Sequence, residues 1–88
     1  RLAVPVDTRD AGSFERAHIP GAVNLPIDEI ETRLAELHMV PGTPVLYCRT
    51  GDKSKELSEK LAHDQIGVAF LEGGFLMWEA NSLPVDKD

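Results

Sequence analysis

The strongest constraint on this chain is a rhythm. Four short apolar runs, at residues 2–6, 23–25, 43–48 and 68–71, are each followed by a segment with helical character. Runs this short and partly β-branched read as strands. After the first, residues 13–17 form a turn or two of helix with Asp10 or Ser13 as N-cap, and His18-Ile19-Pro20-Gly21-Ala22 breaks it. From Pro26 onward Ile27, Ile30, Leu34 and Leu37 recur at helical spacing among charged residues, which predicts one amphipathic helix ended by Pro41-Gly42. Leu57, Leu61 and Ala62 mark the buried side of a third helix over residues 54–64. Lys55, Glu56, Glu59 and Lys60 face water there, and Gly67 closes the helix. Gly73-Gly74 makes a tight turn and residues 75–80 a short last helix. Pro5 removes a ladder donor and predicts an edge or late-starting first strand. Alternation of this kind predicts an α/β fold with a mostly parallel sheet flanked by helices. In such sheets ligands bind beyond the carboxyl ends of the strands.

Eighty-eight residues support one core, and a hydrophobic content of 42% fits a globular domain. Nine Lys and Arg against fifteen Asp and Glu give a formal charge of -6. That balance argues against nucleic acid or an anionic membrane surface as a partner. No run approaches the ~20 apolar residues of a membrane span. A single cysteine excludes an intramolecular disulfide, and the absence of paired cysteines at metal-ligand spacing excludes a Cys-rich zinc site, so a reducing compartment, the cytoplasm, is favoured. The chain starts at Arg1 and enters a strand at once, so residues 1–88 read as a single domain cut from a longer chain.

Cys48 is that lone cysteine, and it stands where the third strand meets the loop Arg49-Thr50-Gly51-Asp52-Lys53-Ser54. The thiolate is the reactive form, and an unperturbed thiol with pKa ~8.5 is mostly protonated at neutral pH. A strand end, a glycine turn and a helix N-terminus supply backbone N–H groups that stabilise the anion. Arg49 and Lys53 add positive charge to an otherwise acidic chain. This setting alone admits a phosphatase, a redox thiol or a sulfur carrier.

Four motifs narrow the choice. Asp7-Thr8-Arg9, the run from His18 to Pro26, Leu46-Tyr47-Cys48-Arg49-Thr50-Gly51-Asp52-Lys53-Ser54, and Leu71-Glu72-Gly73-Gly74-Phe75 with Trp78 together resemble the rhodanese (sulfurtransferase) domain family, in order over nearly the whole chain. The resemblance implies a rhodanese-like fold lacking the usual N-terminal strand and helix. It also implies that Cys48 is the nucleophile carrying sulfur as a persulfide. The donor would be thiosulfate or a persulfide and the acceptor cyanide or a thiol, with a protein acceptor or a fused domain as further partners, and with no cofactor or metal. Residues 49–54 would bind substrate, with Asp7 and Arg9 in support. The other reading of this family is a non-catalytic or persulfide-relay module of a multidomain protein.

Loop length separates sulfur from phosphate. A cysteine phosphatase needs Cys-x5-Arg so that a guanidinium grips the phosphate bidentately, and the position of that arginine holds Ser54 here, with the cation one place earlier at Lys53. Asp52 departs from the family's usual loop, since a carboxylate beside the sulfur disfavours the thiolate unless it points away or pairs with Arg49 or Lys53. Each singled-out residue also has a plainer reading. Cys48 could be a small buried hydrophobe, Arg49 and Lys53 solvated charges, Ser54 an N-cap, and Gly51 a conformational residue. Asp7 and Arg9 read as structural, pairing with each other or anchoring the loop. His18 reads as a turn residue rather than a base, His38 and His63 as surface residues, and Phe75, Met77 and Trp78 as core or cleft-edge packing.

Overall fold

The computed structural model describes residues 2–87. Four strands, β1 (Ala3–Asp7), β2 (Val23–Asn24), β3 (Thr43–Tyr47) and β4 (Ala69–Phe70), form one wholly parallel sheet in the order β2-β1-β3-β4. The helices are α1 (Ala11–Arg16), α2 (Leu34–His38), α3 (Asp52–His63) and α4 (Gly74–Ala80). This is the predicted α/β architecture.

The first strand is not an edge. β1 lies between β2 and β3, in register with β3 from Ala3 opposite Thr43 to Asp7 opposite Tyr47. Backbone alternation explains how Pro5 is tolerated. The Leu2 carbonyl accepts from Thr43 and the Thr8 N–H donates to Tyr47 on the β3 side, whereas the Asp7 carbonyl accepts from Leu25 beyond β2. Odd-numbered residues of β1 therefore address β2, and β2 begins pairing only at Val6. Pro5 faces a gap where no donor is needed.

The segment after β2 is also less regular than its periodicity suggests. It winds a single 3-10 turn over Ile30–Arg33 before α2 begins, and Arg33 at the junction has φ -122° and ψ 29°, outside the helical range. Thr32 Oγ1 donates to the Glu29 carbonyl at 2.8 Å, competing with regular helical bonding. The apolar residues nevertheless reach the core: Ile30 and Leu37 are fully buried, and Ile27 and Leu34 pack against the same cluster. That cluster joins Val6, Leu25 and Leu46 of the sheet region to Leu57 and Leu61 of α3. Ala62, expected on the buried side, is exposed, and Ser54 and Ser58 are buried in its stead.

Gly67 does not end α3. Gln65 takes the left-handed conformation, with φ 64°, and two closing bonds run from Gln65 N–H to the Ala62 carbonyl and from Ile66 N–H to the Leu61 carbonyl. This is a Schellman ending with glutamine at the position usually given to glycine. Ile66 then packs onto the core. A second cluster of Ile19, Tyr47 and Phe75 holds α4 and the end of α1 together, and Ala17, Leu71 and Trp78 pack on it.

Candidate active site

β3 delivers Cys48 to the carboxyl end of an interior strand, and α3 starts four residues later at Asp52. Between them the chain turns through Gly51 at φ 98°, a left-handed conformation costly for any residue with a Cβ. The turn aims donors at the sulfur. Gly51 N–H donates to Cys48 Sγ at 3.1 Å, and the N–H groups of Lys53 and Ser54 reach it from the first turn of α3. The protonated thiol donates to Ser54 Oγ at 3.5 Å, and that hydroxyl donates to the Gly51 carbonyl at 3.2 Å. When the thiol ionises, the same hydroxyl proton can turn to the sulfur.

Two opposing effects set the acidity of this thiol. Burial pushes it up, because Cys48 is only 6% exposed and the anion loses solvent. The Ser54 hydroxyl and the N–H groups of Ser54, Gly51 and Lys53 pull it down, and they prevail, leaving the thiol below its ordinary value. These are hydrogen bonds to the charged form, not contacts with a formal cation.

The loop is braced from behind by α4. The first N–H groups of that helix donate to the loop's carbonyls, Phe75 to Cys48 at 2.9 Å and Leu76 to Arg49 at 2.9 Å. The approach is so close that a Cβ on Gly74, itself at φ 62°, would lie 2.5 Å from the Cys48 carbonyl oxygen. A Cβ on Gly51 would meet the Gly73 nitrogen at 2.9 Å. The two glycine turns interlock, a relationship that spacing along the chain does not reveal.

On the other side stands a buried ion pair. Asp7 is fully buried and accepts from Arg9 Nη2 at 2.7 Å, from Arg9 Nε and the Arg9 backbone, and from the Tyr47 hydroxyl at 2.8 Å. Arg9 also donates to the Ala17 carbonyl at 2.7 Å and lies 4.2 Å from the centre of the Phe75 ring. The guanidinium pays for its burial with the Asp7 carboxylate, and its pKa rises. Burial, with Asp7 adjacent, pushes the Tyr47 hydroxyl well above the ordinary tyrosine range. Thr8 completes the brace, its N–H and hydroxyl both donating to the Tyr47 carbonyl just before Cys48. Asp7 and Arg9 thus pair with each other behind the loop. Tyr47 is the member that sequence reasoning missed; its one signal is a hydroxyl-bearing residue at the end of an otherwise aliphatic strand.

Above the sulfur lies an open cleft of about 740 Å³. Arg49, Thr50, Asp52 and Lys53 line it with Cys48, while Gly51 and Ser54 are buried beneath. The loop residues singled out from the sequence are therefore brought together around one atom. Among the described residues Asp52 forms no ion pair with Arg49 or Lys53; its contact is with the Thr50 hydroxyl at 3.5 Å. Phe75 and Leu76 form part of the cleft lining, whereas Met77 and Trp78 do not. His18 lies outside the lining, stacked on Phe14 and bridged to Asp86. His38 and His63 are exposed and also lie outside it.

A parallel α/β sheet that presents one cysteine inside a ring of N–H and hydroxyl donors, below an open cleft, defines an anion-stabilising thiol domain. The chain belongs to the Rhodanese-like domain family, whose pattern matches residues 2–81. It is 32% identical over 81 residues to a sulfurtransferase of Allochromatium vinosum, covering 91% of this chain and 75% of that one. It is also 34% identical over 86 residues to an HTH-type transcriptional regulator of Mycobacterium tuberculosis, covering 93% of this chain but 37% of the regulator. Among solved structures, a rhodanese with anions from Escherichia coli superposes with a TM-score of 0.75 at 26% identity, covering 99% of this chain and all of that one. The chain thus spans well under half of one such relative and three quarters of another. Among the described residues, no helix is long and apolar enough to cross a membrane.

Proposed function

We propose that the domain is a sulfurtransferase with Cys48 as its nucleophile and residues 49–54 as its substrate loop. The observation that carries this reading is the set of four donors converging on Cys48 Sγ. In the first step the Cys48 thiolate attacks the outer sulfur of thiosulfate. The S–S bond breaks, its electron pair leaves with sulfite, and Cys48 keeps a persulfide. In the second, cyanide or a thiolate attacks the terminal sulfur and the Cys48 thiolate returns as leaving group. This is a covalent, two-step scheme. Thiolate and persulfide are both anions, so the same preorganised donors stabilise each without rearrangement.

Loop length supports sulfur over phosphate. The place where a phosphatase requires arginine holds Ser54, which is buried and bonded to the sulfur. Arg49 and Lys53, exposed at the cleft, would attract an anionic donor, and Asp7 and Arg9 would hold the loop's floor. A free thiol suits a reducing, cytoplasmic setting. A second reading, a relay or regulatory module within a longer protein, is favoured by Asp52, which sets a carboxylate at the cleft, and by the short share of the M. tuberculosis regulator that this chain spans.

Intact mass spectrometry tests the proposal. Incubation with thiosulfate or an alkyl persulfide should add one sulfur atom, cyanide should remove it, and Cys48→Ser should take up none. Failure to form any adduct with either donor would sink the catalytic reading. Hydrolysis of an aryl phosphate is expected to be absent.

A further inference from the structure

The cleft is larger than its chemistry at the sulfur requires. Thiosulfate has five heavy atoms, whereas about 740 Å³ lies in the range of sites for organic ligands. The additional space lies between two helices. α1 lines it with Ser13, Arg16 and Ala17, one helical face at spacings of three and four. α4 lines it with Phe75, Leu76 and Glu79, again one face.

Two opposite charges on these walls have no other use. Arg16 is exposed, makes one side-chain hydrogen bond, to Ser13 Oγ at 3.3 Å, and has no carboxylate partner among the described residues. Its remaining N–H donors are open to a ligand. Glu79 is exposed, and its carboxylate has no hydrogen bond or ion pair among the described residues. The other charged groups on these walls are committed: Arg9 to Asp7 and Ala17, and Asp10 to capping α1 through Ser13 N–H at 2.7 Å. Between Arg16 and Glu79 the lining is apolar, from Ala17, Phe75 and Leu76.

We infer that this part of the cleft is an acceptor subsite for a low-molecular-weight thiol carrying both a carboxylate and an ammonium group. Arg16 binds the carboxylate, Glu79 binds the ammonium group, and the apolar strip receives the chain that carries the thiol. The inference rests on the sulfurtransferase reading. In the step it serves, the acceptor thiolate attacks the terminal sulfur of the Cys48 persulfide, the S–S bond to Cys48 breaks, and its electron pair returns to Cys48 as thiolate. The acceptor leaves as a persulfide, with no outside oxidant or reductant.

The test uses glutathione, N-acetylglutathione and glutathione diethyl ester, whose modifications lie away from the sulfur and remove one kind of charge each. Discharge of the preloaded Cys48 persulfide should be roughly threefold faster in kcat/KM for glutathione than for either capped analogue, the scale of one exposed charge pair. Arg16→Ala should erase the advantage over the diester alone, Glu79→Gln the advantage over the N-acetyl compound alone, and Arg16→Lys should restore the former. Added salt should narrow both gaps. Equal rates for the three thiols in the native protein, or gaps that survive both substitutions, would overturn the subsite. If no persulfide can be loaded, the sulfurtransferase reading fails instead. The subsite is then judged by S-methylglutathione, which should slow alkylation of Cys48 and do so less in Arg16→Ala; no protection overturns it.

Discussion

Replacing Ser54 by alanine removes one of the four donors that hold the Cys48 thiolate, and the direction of its effect can be worked out in advance. Burial raises the thiol pKa and the donors lower it, so deleting a donor moves the pKa up and thins the thiolate at neutral pH. A hydrogen bond to a charged group contributes about 1.5–3 kcal/mol. The Oγ to Sγ distance of 3.5 Å places this one at the weak end. About 1.5 kcal/mol corresponds to a rise of roughly one pKa unit, so alkylation of Cys48 at a pH below its pKa should slow by roughly tenfold. The assay is the pH profile of the iodoacetamide rate, read by intact mass. Ser54→Thr, which keeps the hydroxyl, should stay near the native profile. A folded Ser54→Ala protein whose profile is unmoved would refute the reasoning. It would mean that the backbone N–H groups of Gly51, Lys53 and Ser54 carry the whole effect.

Asp7→Asn should cost about 3 kcal/mol in urea unfolding, because it leaves the half-buried Arg9 guanidinium without its carboxylate. A loss under about 1 kcal/mol, the scale of a surface pair, would mean that the pair contributes little to the fold. Asp52→Asn removes a carboxylate from a cleft that must admit a dianion, so kcat/KM for thiosulfate should rise about threefold at low salt and less at high salt. If the rate is unchanged at low salt, that charge does not reach the donor.

The sequence is most informative where burial follows directly from local pattern. The four apolar runs became the four strands, Asp10 capped α1 through Ser13 as expected, and Cys48 emerged at a strand end because a β-branched run stopping at a glycine loop has little else to form. Sequence reading failed where a local preference met a neighbour distant in the chain. Pro5 signals an edge, yet β1 is interior, since β2 is too short to reach the proline. Gln65 ends α3 ahead of Gly67, because placing Ile66 in the core outweighs the cost of a left-handed glutamine.

Sequence by itself determined the parallel α/β class, the candidate nucleophile and the loop length that argues against phosphate, because these depend on order and spacing. Tertiary structure alone decided what surrounds the sulfur. Tyr47 meets Asp7 across 40 positions, α4 donates its first N–H groups to the carbonyls of Cys48 and Arg49, and Gly74 is the residue that lets those backbones approach. None of these contacts leaves a periodic trace, since each joins groups brought near only when parallel strands align their ends. The wall charges Arg16 and Glu79 face one cleft for the same reason.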